Sequence, residues 1–187
     1  MAPINQGEHL IRIPQKCEFQ LLHNTRMTAI TKEILANAII AVRDMDLRQC
    51  EQLSDEIHAN QPQLLLPVLA LRSFGVTLEQ LEVPLNALLV CYQCMKTCGR
   101  QWPQISGAMW ERCSKRLVAR MQFNEGLTPA QAAEAITTTI AEHNERWLLA
   151  FVYGKLVASN SLVIESEAQK YLVLVTLALV ESIAEAS

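Results

Sequence analysis

TLEQLEVPLNALLVCYQCMKTCG, residues Thr77 to Gly99, contains a helix start, a helix stop and an apolar face in one run. Thr77 and Gln80 have the spacing of a capping box, in which each side chain accepts from the other's backbone N–H. Val76 is placed to pack on Leu81 as a hydrophobic staple. Gly99 suits the left-handed position that closes a helix. Pro84 lacks an N–H and crowds the carbonyl one turn back, so a kink or a fresh start is expected there. At 100° per residue, Pro84, Ala87, Leu88, Cys91, Cys94, Met95 and Cys98 share one face. Glu82, Asn86, Gln93, Lys96 and Arg100 lie opposite. The stretch predicts a long amphipathic helix, and with it an all-α protein.

The same placement governs the cysteines. Cys91, Cys94 and Cys98, with Cys113 as a fourth, are the candidates for a metal or thiol redox site. Structural zinc sites usually pair two short motifs on turns so that four sulfurs converge. Here there is one motif, at helical spacing, with no Gly or Pro between Cys91 and Cys98. A reactive CxxC thiol needs a helix N-terminus to lower its pKa, and Cys91 is well inside the helix. Free Cys packs as a small hydrophobe, so core packing is the preferred reading. No cofactor is expected.

Upstream, Ile30, Ile34, Ala38 and Val42 form a helical row. Asp46 and Gln49 make a second capping box, followed by the stripe Leu47, Cys50, Leu53 and Ile57. Pro62 suits the first turn of a third helix that Gly75 closes, with a bend at Pro67. Residues 1–25 have only weak alternation and two prolines, and read as an extended N-terminal arm. Residues 26–187 form the helical domain.

Downstream, Trp102-Pro103 is expected to open a fifth helix to about Gln122, with Ile105, Met109, Cys113 and Leu117 in one row. Arg112, Arg116 and Arg120 flank that face. Thr128, Pro129 and Gln131 give the strongest helix start in the chain. From there one helix is expected to run to about Ala158, becoming apolar nearly all round after Trp147. Tyr171–Val180 alternates like a strand, but its flanks are good helix formers, and a seventh helix over Glu165–Ala184 is expected. Short connections make neighbouring helices pack antiparallel or at an angle. The architecture is therefore a single irregular bundle of about seven helices.

Half of the 187 residues are hydrophobic and 19% are charged, fewer than the usual quarter. The net charge of −3 divides unevenly. Residues 1–95 carry seven basic and ten acidic side chains, residues 96–123 six and one, and residues 124–187 three and eight. Internal pairing of the basic segment with acidic helices is the simplest use of that pattern. The sequence opens without the basic-then-apolar pattern of a signal peptide. No uncharged apolar run is long enough to span a membrane. Irregularly spaced free cysteines suit a reducing cytoplasm.

The arginine row is a candidate contact for an anion or an acidic partner, since Arg recognises phosphate and carboxylate bidentately. A DNA-reading helix also needs short polar residues facing the bases, and Met109, Trp110 and Cys113 stand there instead, so nucleic acid is not expected. The competing reading pairs the row with Glu142, Glu145 or Glu167. Asp55-x-x-His58 and Glu142-His143 lack the paired Glu-x-x-His motifs of a di-iron bundle. No Gly-rich phosphate loop or nucleophile elbow is present.

Trp147–Val152 and Tyr171–Val180 lack the polar face of a surface helix, so Leu149, Val173 and Leu177 are expected at an interface of a homodimer or larger assembly. The function expected is a non-catalytic helical interaction protein, assembling with itself or a protein partner. A regulatory binder of a small apolar ligand is the first alternative. A redox protein using Cys91, Cys94 and Cys98 is the second.

Overall fold

Thr77 and Gln80 do form the capping box, with Gln80 N–H donating to Thr77 Oγ1 at 3.2 Å and Thr77 N–H to Gln80 Oε1 at 3.0 Å. The computed structural model describes residues 29–123 and 126–187. The expected N-terminal arm, residues 1–25, lies outside them. The described residues form eight α-helices and no strand. They are α1 (Lys32–Arg43), α2 (Leu47–Asn60), α3 (Pro62–Ala70), α4 (Leu78–Thr97), α5 (Gly107–Phe123), α6 (Pro129–Glu142), α7 (Arg146–Ala158) and α8 (Glu167–Ala186). A 3-10 turn, Leu71–Phe74, extends α3.

α4 runs through Pro84 without ending. The cost is one helical donor to the Gln80 carbonyl, and the ring is buried in the core in exchange. α3 likewise continues past Pro67 to Ala70. It then tightens into the 3-10 turn and stops at Gly75, whose φ of +86° is a left-handed value. Val76 N–H closes the end by donating to Leu71 O at 3.2 Å.

Two expected boundaries are corrected. The fifth helix begins at Gly107, because the Gln61 side chain holds the segment before it in a non-helical course. Its amide donates to Pro103 O at 3.0 Å and its carbonyl accepts from Ile105 N–H at 2.9 Å. The single helix expected from Thr128 to Ala158 is two helices. His143 is extended (φ −73°, ψ 140°), and Glu145 N–H donates to His143 Nδ1 at 3.1 Å across the break. The Glu145 carboxylate turns away from its own helix and accepts the Ala29 and Ile30 amides at 3.1 and 3.2 Å. A tertiary partner thus overrides the helical propensity of Glu142–Arg146.

α4 and α8 pack on each other at the centre. α1, α2, α3 and α7 surround α4, while α5, α7, α3 and the 3-10 turn surround α8. This arrangement overturns the interface expected at Leu149, Val173 and Leu177. All three are buried inside the single chain, at 1, 3 and 3% exposure. Beyond Tyr171, α8 lacks a polar face because other helices pack around it, Leu172, Val173, Thr176, Leu177 and Val180 all being buried. No helix among the described residues is long and apolar enough to cross a membrane.

Candidate functional site

The densest polar chemistry lies where α5 runs along α8. Arg112, Arg116 and Arg120 recur every fourth residue on α5, and Glu181 and Glu185 do so on α8, so the two rows meet as a ladder. Arg112 donates to Glu185 Oε1 from Nε at 3.2 Å and from Nη2 at 2.6 Å. Arg116 Nη2 donates to Glu185 Oε2, and Arg120 Nη1 to Glu181 Oε1 at 2.9 Å. The arginines hold the Glu185 carboxyl down to about 2, Arg116 first and then Arg112. Burial pushes Glu181 up, but the neighbouring His143 and Arg120 outweigh it and its carboxyl stays below the usual range.

The arginine row therefore meets carboxylates, as internal pairing requires, but not those expected. Glu142, Glu145 and Glu167 are replaced by Glu181 and Glu185, which the apolar run before them marked as the end of a buried helix. The row is engaged within the chain.

A shallow cleft of about 270 Å³ opens beside the ladder, lined by Arg116, Glu142, His143, Asn144, Glu181, Ala184 and Glu185. Because His143 Nδ1 accepts the Glu145 amide, its ring proton sits on Nε2 when the imidazole is neutral, facing Glu181 at 3.8 Å. That distance is longer than a hydrogen bond. Arg116, Glu181 and Glu185 are committed to neighbours in the fold, so this side of the cleft is an ion-pair edge.

The four candidate cysteines fall into three environments. Cys91 and Cys94 are fully buried on α4, where burial pushes both thiols up, Cys94 to about 12. Cys98 is half-buried, its Sγ donating to Met95 O at 3.2 Å and accepting from Trp102 Nε1 at 3.2 Å. Cys113 is on α5 and faces α8, within 3.4 Å of Glu185 Oε2 and 3.2 Å of Arg116 Nη2. Burial raises its thiol as well. Among the described residues, no group of three His, Cys, Asp or Glu side chains is placed to hold a metal ion. Asp55 and His58 are both exposed on α2.

A feature the sequence reading passed over lies on α3. Its outer face carries Leu66, Leu69 and Ala70, with the two leucines 46 and 48% exposed. Phe74, half-exposed on the 3-10 turn, stacks on Tyr171 of α8 at a centroid distance of 4.5 Å. Leu78 follows at the start of α4, 73% exposed. The available signal was composition, since no charged residue stands between Pro62 and Leu71. A helix with no polar side is buried on several sides or waiting for a partner.

Compared with models of known protein families, with curated proteins and with solved structures, the chain matches none.

Proposed function

We propose that this chain is a non-catalytic helical interaction protein, which acts by presenting a folded surface to another protein molecule. The observation that carries this reading is a set of exposed apolar side chains, Leu66 and Leu69 on α3 and the stacked Phe74 and Tyr171 of the 3-10 turn and α8, each 36–49% exposed. Scattered apolar residues are ordinary on a protein surface, but four large ones on packed neighbouring elements, two of them in ring contact, suit an association site. The chemistry-bearing groups support the same reading by their engagement in the fold. The arginines are held in ion pairs, and burial raises the thiols of Cys91, Cys94 and Cys113.

The test is photo-crosslinking in cells from a photoreactive amino acid at position 69. A discrete protein adduct is expected there, and no adduct from the same group at Arg43, an exposed position on α1. The same products from both positions, or none from position 69, would contradict the reading.

A further inference from the structure

We propose that the corner between α6 and α7 is a proton-operated latch: neutral His143 holds it closed by accepting the Glu145 amide, and a proton on His143 opens it and releases the carboxylate clamp on Ala29 and Ile30.

The two ring nitrogens of His143 have opposite needs. Nδ1 accepts from Glu145 N–H at 3.1 Å, a bond to the residue two positions on, as in an Asx turn, and it spans the break between the helices. A ring nitrogen accepts only while it carries no proton. In the imidazolium both nitrogens are donors, so Nδ1–H would face Glu145 N–H and the bond is lost. Nε2 faces Glu181 Oε2 at 3.8 Å, with both side chains 9% exposed. A proton on the ring turns that approach into an ion pair, and closing the gap draws the ring toward α8. Loss at one nitrogen and gain at the other act in the same direction.

The surroundings supply the bias. Glu181 and Glu185 of α8, Arg116 of α5 and Glu142 of α6 line the cleft with His143, and Arg120 of α5 reaches it through Glu181. Tyr153 of α7 stands near Arg120 and Glu181. Glu185 is taken by Arg112 and Arg116, and Glu181 Oε1 by Arg120, which leaves Glu181 Oε2 for His143. Histidine is the side chain that changes charge between about pH 5 and 8, and Glu181, held below the usual carboxylate range, is charged throughout that window. Glu145 transmits the change. The residue whose amide His143 holds also carries the buried carboxylate that accepts Ala29 and Ile30 N–H at 3.1 and 3.2 Å. The charged or titratable neighbours of that carboxyl are His143, Arg100 and Cys94. Displacing the Glu145 backbone therefore moves the acceptor of both amides.

NMR of the full chain, titrated from about pH 8 to about pH 5, tests the latch. Exchange protection at Ala29 and Ile30, corrected for the intrinsic pH dependence of exchange, should fall at least about 10-fold with the midpoint of the His143 ring, while α4 keeps its protection. His143→Asn puts an oxygen in place of Nδ1 that accepts from the residue two positions on at every pH, so protection should stay level. Glu181→Gln removes the carboxylate that favours the charged ring, so the ring and protection midpoints should move down together. Constant protection in the wild type while the ring titrates would overturn the proposal. So would a fall in His143→Asn at the wild-type midpoint, which would assign the effect to protonation of Glu145. If His143→Asn does not fold, Glu181→Gln decides. Midpoints that move down together support the latch, and either one staying put overturns it.

Discussion

The ring of Phe74 lies 4.5 Å from that of Tyr171, centroid to centroid and inclined by 29°, with both rings partly open to solvent. The contact ties the end of α3 to the first turns of α8, two segments nearly a hundred residues apart in the chain. Nearby, Gly75 comes within van der Waals reach of Ala168, since a Cβ at Gly75 would sit 4.0 Å from the Ala168 Cβ.

Phe74→Ala should therefore cost only about 1 kcal/mol in denaturant unfolding, because half of the ring is already solvated. The α-helical circular dichroism should be unchanged. A loss of more than about 3 kcal/mol would mean that the ring is a core residue.

Acid should loosen the α5–α8 ladder. Glu185 titrates at about 2 in the folded chain against 4.5 for the free side chain. Between those values the folded state binds fewer protons than the unfolded one. The contribution is thus complete above about pH 4.5 and is lost as pH falls toward 2. Glu185→Gln should be less stable near neutral pH by about 1 kcal/mol, a modest figure because Arg112 and Arg116 are more than half exposed. Denaturant titrations at decreasing pH should show the two proteins converge, and a gap that stays constant on acidification would contradict the account.

Removing the Glu145 carboxylate should expose the cost of the clamp before α1. Glu145 is 1% exposed and accepts two backbone amides. Glu145→Ala should cost about 2 kcal/mol, since both amides lose that acceptor. Hydrogen exchange at Ala29 and Ile30 should quicken more than in α4. Unchanged exchange at those two amides would show that the clamp is not formed.

Local signals were legible in the sequence where the cause was local. Thr77–Gln80, Asp46–Gln49 and Thr128–Gln131 all form the expected capping boxes. Cys91 and Cys94 were placed on the buried face from spacing alone. What failed depended on distant partners. Nothing in Glu142–Arg146 reveals that Ala29 and Ile30 will take the Glu145 carboxylate and break the helix. The apolar runs of α7 and α8 read as a subunit interface because apolar periodicity reports burial without saying what does the burying. In the short, uncharged α3 no charged residue marks which side faces solvent, so its exposed face is not legible.

The thiols should divide by burial. In the native chain near neutral pH, Cys91 and Cys94 should resist alkylation, because both are fully buried and their thiols are pushed up. Among the described residues, the half-buried Cys50 and Cys98 should react before them. Peptide mapping after brief iodoacetamide treatment reads this directly, and Cys94 modified as fast as Cys50 would contradict the placement of α4.

The central claim is that α3 and the adjoining turn carry exposed apolar side chains, while residues 172–180 of α8 are part of the core. Carbene footprinting of the dilute native chain, read residue by residue by mass spectrometry, tests it most directly. Leu66, Leu69, Phe74 and Tyr171 should be labelled strongly, and Leu149, Val173 and Leu177 should stay near background. Label at Val173 and Leu177 equal to that at Leu66 and Leu69 would contradict it.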